Sequence, residues 1–238
     1  MAPEKTIEDL WNEFWAWTES HAAGAYLFRG QADASPILPK IARDGYNFDY
    51  VRERVLFEAF ERAAYPFVQG ELSPFDMLAL AQHHGAPTRL VDWSTTPLVA
   101  AWFAVSSYPQ HTDAHLYGLD LGRSDLDVLN TRTNETRQGA TVQDPLKPKS
   151  GVYLIETAQV SRRITTQRGI FTLHGDPTKP LEIPPEDVFT IPATLRADFQ
   201  SRLMDMGVDA AHIYPDINGL CASLDYRFKT GKSLSAFA

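Results

Sequence analysis

"AYLFRGQ", residues 25–31, sets an apolar run of Ala25, Tyr26, Leu27 and Phe28 directly against Arg29, Gly30 and Gln31. The run predicts a strand, and its ending is unusual for one. Arg29 is permanently charged and is costly to desolvate unless it meets an anion, while Gly30 lets a ligand or another backbone come close. The identity of that anion is the question the rest of the sequence has to answer.

Upstream, "TIEDLWNEFWAW" (6–17) has a cap-like Thr6 with Asp9, and Ile7, Leu10, Trp11, Phe14 and Trp15 recur at helical spacing. Downstream, Pro36 and Pro39 break the chain before a second helical pattern from about Val51 to Ala64. A third helix is announced by Ser73 as cap, Pro74 and Asp76 in its first turn, and Gly85 with Pro87 as its stop. After the strand-like "TRLV", Thr96-Pro97 opens "LVAAWFAV", which is apolar on nearly all sides and is therefore expected to be buried.

The second half changes character. "AHLYGLD", "GVYLIE", "GIFTLH" and "DVFTIP" are short, rich in β-branched and aromatic residues, and bounded by Pro, Gly or Asp, as strands are. Residues 122–150 are polar and aperiodic, which predicts a mobile insertion, a lid or a surface loop. Helical spacing returns over Thr194–Met206 and Asp216–Phe228. With no repeat or linker, residues 1–238 read as one α+β domain with a core of about 25–228.

A formal net charge of -8 argues against a tight sequence-independent grip on a nucleic-acid backbone, but leaves room for a local basic cleft. The single cysteine, Cys221, excludes an internal disulfide, fits a reducing compartment, and reads as a buried inert thiol on a helix. Neither a signal segment nor a membrane-length apolar run is present, so a soluble, cytoplasmic protein without a membrane partner is expected. "KTGKS" lacks the first glycine of a phosphate-binding loop, since Tyr226 stands there. His83 and His84 point different ways on a helix and have no carboxylate or thiol cluster beside them, so no metal is expected.

What remains is the polar stretch "QHHGAPTRLVDWSTTP", lying between two predicted helices. Ser94 and Thr95 precede a helix start whose free N–H groups favour an anion. The alternative is structural: Thr96 caps the helix, while Arg89 and Asp92 form a buried ion pair that holds the turn.

"FRGQ", then "QHHGAPTRLVDWSTTPLVAAWFA" and "RITTQRGIF", are together similar to the FRG domain family, from about Leu27 to Phe171 and on through "IYPDINGL". The same pieces resemble the Arg-Ser-Glu class of ADP-ribosyltransferases. In that class an early strand ends in aromatic-Arg-Gly, a middle Ser-Thr-Ser segment precedes a helix, and a later strand carries Gln or Glu two residues before a catalytic Glu. The resemblance implies a split β-sheet core with surrounding helices and NAD as substrate. It implies transfer of ADP-ribose to a macromolecular acceptor, protein or nucleic acid, in a toxin or phage-defence setting with an antitoxin or other regulatory partner. It further implies that Arg29, Gly30, Gln31, His84, Arg89, Asp92, Ser94 and Thr95 hold the dinucleotide.

The third motif departs from the class. Gln167 fits its first position, but Gly169 stands where the catalytic Glu belongs. Cleavage of an N-glycosidic bond passes through an oxocarbenium-like state that a carboxylate normally stabilises. Arg29, Glu53, His83 and Gln167 are therefore the catalytic candidates, with Glu53 as a substitute acid, or a solvated helix-face charge, and His83 or His84 as a proton carrier. The other function class is a non-catalytic nucleotide-sensing or partner-binding module that keeps the cleft and lacks the acid.

Overall fold

The computed structural model describes residues 5–22, 25–68, 70–107, 110–124, 126–147, 151–156 and 169–234. Helix α1 (Ile7–Ala22) starts where Thr6 and Asp9 exchange hydrogen bonds, the Thr6 N–H donating to the Asp9 carboxylate and the Asp9 N–H to the Thr6 hydroxyl. Asp49 caps α2 (Tyr50–Ala64), and Ser73 caps α3 (Pro74–His83) by accepting from the Asp76 N–H. Then come α4 (Pro97–Ser106), α5 (Arg196–Asp205), α6 (Ala210–Ile213) and α7 (Ile217–Thr230), the last capped by Asp216 and closed by Gly231 at φ 70°.

The strands are β1 (Tyr26–Gln31), β2 (Leu90–Ser94), β3 (Ala114–Asp120), β4 (Asp127–Asn130), β5 (Glu135–Thr136), β6 (Val152–Glu156), β7 (Gly169–His174) and β8 (Val188–Ile191). They form one sheet in the order β5-β4-β6-β7-β2-β1-β3-β8, antiparallel except for the parallel pair β4 and β6. The architecture is therefore α+β, with one continuous sheet where a split one was expected. Continuity is thinnest in the middle. β1 matches β3 at six positions, but it meets β2 at one, Phe28 opposite Ser94.

Alternation along the strands sorts the core. On one face, Ala114, Leu116, Phe189 and Ile191 pack against α1, α4 and α5 through Phe14, Val105 and Phe199. On the same face beyond the seam, Leu90, Phe171, Leu173 and Ile155 pack against Phe57 of α2 and Phe75 and Leu78 of α3. Leu27, Val91, Trp93, Leu119 and Leu154 form the core of the opposite face. One face thus carries two helical groups, and a gap lies between them above the seam.

Two devices fix α4 there. A Cβ on Gly30 would lie 1.9 Å from the Ala100 carbonyl oxygen and 2.6 Å from the Ala104 nitrogen, so the helix backbone sits directly on the strand. At the other end, the buried Arg196 donates through Nη2 to the carbonyls of Ala104 and Ser107, both at 2.8 Å, and through Nη1 to those of Thr112 and Ala32. The bonds to Ala104 and Ser107 satisfy carbonyls that the end of α4 leaves open.

Two expectations are corrected. Residues 122–150 are no bare insertion. Within their described part, β4 and β5 extend the sheet, and Leu129, Val142 and Leu146 are buried in its core. The parallel partner of β4 is β6, more than 20 residues further on, so the pairing leaves no local periodicity to read. Cys221 is exposed on α7 rather than buried.

Gly30→Ala is expected to lower stability by about 3 kcal/mol or more, because the clash is with backbone that cannot rotate away. Urea or thermal unfolding of the variant checks this, and a loss under about 1 kcal/mol would contradict so close a contact.

Candidate active-site cleft

The gap above the seam opens as a cleft of about 530 Å³, within the range of small-molecule sites. Its lining includes Arg29 and Gly30 from β1, Asp92 and Ser94 from β2, and Gly169 and Phe171 from β7. Gln82 and His83 reach it from the end of α3, Phe103 from α4, and Tyr214 from the turn after α6. Lys40 and Arg43 close its rim. The segment carrying them is docked by the Ile41 N–H, which donates to the Thr88 carbonyl, and by a bridge between Ile37 and Leu181.

Arg29 spans the seam. Its Nη1 donates to the Asp92 carbonyl at 2.9 Å and lies 3.1 Å from the Asp92 carboxylate, while Nε donates to the Gln31 side chain at 3.3 Å. Nη2 donates to nothing among the described residues, and the side chain is 9 % exposed, so one edge of the guanidinium fork remains for a ligand. Gln31 is fixed in turn, its Nε2 donating to the Ser35 carbonyl at 2.7 Å.

Asp92 accepts at Oδ1 from Gln82 Nε2 at 3.2 Å, and the Thr88 hydroxyl donates to the Gln82 Oε1 at 2.7 Å. Close packing beneath Asp92 pushes its carboxyl up, but the charges of Arg29 and Arg43 outweigh this and hold it below the ordinary carboxylate range. With 52 % of the side chain open to water, the pair with Arg29 adds little to stability and the carboxylate stays reachable. Ser94 is buried, and its hydroxyl accepts from the Thr96 N–H at 3.0 Å, while Thr96 makes no side-chain cap to α4.

Sequence reasoning grouped residues that the fold separates. Arg89 and Asp92 do not pair. Arg89, one residue ahead of β2, instead grips Glu53 of α2, with Nε donating to Oε1 at 2.7 Å and Nη2 to Oε2. Both partners are almost wholly buried and neither lines the cleft, so Glu53 stands there neither as a substitute acid nor as a solvated charge. His84 is the exposed C-cap of α3 and Thr95 is exposed on the turn before α4; neither lines the cleft. Gln31 lines an adjoining chamber of about 470 Å³ that shares Arg29, Gly30 and Arg43 with the first. Gln167 lies outside the described residues. Lys40, Arg43, Phe103 and Tyr214 were missed, since only tertiary docking brings them to the rim.

One buried histidine borders the arginines. Trp93 Nε1 donates to the Thr172 hydroxyl at 3.0 Å, and that hydroxyl shares a hydrogen bond of 3.1 Å with His174 Nε2. Burial, then the charges of Arg29 and Arg89, lower its pKa to about 4.

Residues 24–113 match the FRG domain family, which supports that family for the segment carrying β1, β2 and α4. No curated protein and no solved structure matches the chain. No described helix is long and apolar enough to cross a membrane, and the described residues hold no group of three or more His, Cys, Asp or Glu placed to bind a metal.

Glu53→Gln is expected to destabilise the fold by about 3–5 kcal/mol by leaving Arg89 buried without its carboxylate; a variant that unfolds in urea like wild type would refute the structural role. His174 gives a pH dependence of definite sign. The unfolded chain takes up a proton near pH 6.5 and the folded chain only near about 4. The stabilisation is therefore complete above the higher value and is lost as pH falls to the lower one, by about 3 kcal/mol in all. Melting temperatures between pH 7.5 and 4.5 should show this slope, and His174→Gln should flatten it.

Proposed function

We propose that this chain is an NAD-dependent ADP-ribosyltransferase of toxin or phage-defence type that moves ADP-ribose from NAD to a protein or nucleic-acid acceptor and releases nicotinamide. One observation carries the reading. The strands bearing the three motif segments are neighbours, β7-β2-β1, and their motif ends share one row, Phe28 opposite Ser94 and Ser94 opposite Gly169, beside a single cleft. Motifs separated by some 60 and 140 positions in sequence thus end at one rim, as a shared ligand would require.

Arg29 is the diphosphate ligand in this reading, through its free Nη2, with Lys40 and Arg43 adding positive charge at the rim. Phe171, Phe103 and Tyr214 offer apolar surfaces for planar rings, and Ser94 braces the turn against which nicotinamide would rest. A cytoplasmic setting, where NAD is available, and a regulatory partner belong to the same proposal.

Purified protein incubated with NAD labelled in the nicotinamide and in the adenine distinguishes the outcomes. Nicotinamide release with label carried to an acceptor supports transfer, and Arg29→Lys, which keeps the charge but loses the fork, should reduce release by about 10²-fold in protein that still folds, its melting temperature lowered by loss of the bond to the Asp92 carbonyl. Saturable binding without release would instead identify a nucleotide-sensing module, and release without a labelled acceptor would identify a hydrolase.

A further inference from the structure

A carboxylate is the group the proposed reaction lacks, because Gly169 stands where the third motif would supply one. We propose that Asp92 is the catalytic carboxylate of this cleft, delivered from β2 instead of β7, and that it faces the sugar carbon from which the leaving group departs. The inference rests on the transferase reading.

Elimination supports it first. Asp92 is the one carboxylate lining the 530 Å³ cleft among the described residues. Glu53 is locked to Arg89, and Asp33 and Asp44 line the adjoining chamber. Register supports it next. Ser94 faces Gly169 and Asp92 faces Phe171, so Asp92 lies on the same sheet face as the position of the missing acid, on the neighbouring strand and one side-chain row inward. A row is two residues, about 7 Å along the strand, which a sugar seated over the seam can span.

The side chain is also built for the task. Gln82 holds Oδ1 and is itself held by Thr88, Arg29 lies against Oδ2, and half of the side chain stays open to the cleft. The charged and titratable groups around it are Arg29 from β1, Lys40 and Arg43 from the rim segment and His83 from α3. Against the burial that disfavours its charge, Arg29 and Arg43 keep it ionised.

In the step itself the glycosidic C–N bond breaks and its electron pair returns to the ring nitrogen, so the pyridinium leaves as neutral nicotinamide. The positive charge left on the sugar carbon and ring oxygen faces the Asp92 carboxylate. An acceptor O–H or N–H then bonds to that carbon, and its proton passes to Asp92 and on to solvent.

Wild type, Asp92→Asn and Asp92→Glu are compared for nicotinamide release, NAD affinity, melting temperature and the pH profile of kcat. Asp92→Asn should bind NAD within a few-fold of wild type, lose about 10²–10³-fold in kcat, and lose the acidic limb of the profile. Asp92→Glu should keep measurable release, and it decides the matter should Asp92→Asn not fold: release as low as background in a folded Asp92→Glu overturns the assignment. A folded Asp92→Asn whose loss lies in KM with the acidic limb intact also overturns it, reducing Asp92 to a positioning residue for Arg29. Wild type that releases nicotinamide beside a fully active Asp92→Asn sinks this assignment alone. Wild type that binds or ignores NAD without release sinks the transferase reading and this assignment with it.

Discussion

Arg29 holds together a sheet that its own backbone barely joins. β1 and β2 share one paired position, and past it the carbonyl of Asp92 takes its hydrogen bond from the Arg29 guanidinium. A buried carbonyl needs a donor, and a charged donor supplies a stronger bond than an amide. The arrangement lets the strands part enough to open a cleft while keeping the sheet continuous. One side chain is therefore a structural bridge whose Nη2 edge still faces the cleft.

A second arginine, sixty positions later, is spent differently. Arg89 is fully enclosed and faces Glu53 across the joint between α2 and the start of β2, with the carbonyls of His174 and Gly175 nearby. Burial, reinforced by the two nearby guanidiniums, keeps His174 neutral. The two arginines also distinguish two environments that look alike on paper: Arg89 has a complete bidentate partner away from the cleft, whereas Arg29 keeps one edge of its fork unbonded at the cleft wall.

Much of the fold was legible because local rules and tertiary structure agreed. The caps at Ser73 and Asp216, the helical stripe through Leu10 and Phe14, and the segments that became β3, β7 and β8 all carried their own signals. The single sheet was not legible, since strand order is set by pairings between distant segments. Residues 127–146 hid their strands for the same reason, their few buried apolar residues being scattered among polar ones. In the site, Arg29, Asp92 and Ser94 stood out as polar residues beside strand ends. Glu53 and Arg89 misled because a charge on a helix or strand looks the same in sequence whether it faces water, a ligand or another charge. Lys40, Arg43 and Tyr214 gave no signal, arriving by loop docking alone.

The clasp that Arg196 makes on the far end of α4 bears on where this domain begins and ends. The segment matching the FRG family supplies two central strands, β1 and β2, yet both flanking neighbours, β7 and β3, come from later in the chain. The cation that seals its last helix comes from later too, as does Phe199, which fills the pocket under α1. Cut out alone, that stretch would present two raw strand borders and an unroofed helix, so the recognisable motif is a fragment of a larger cooperative unit and the remaining residues are its scaffold.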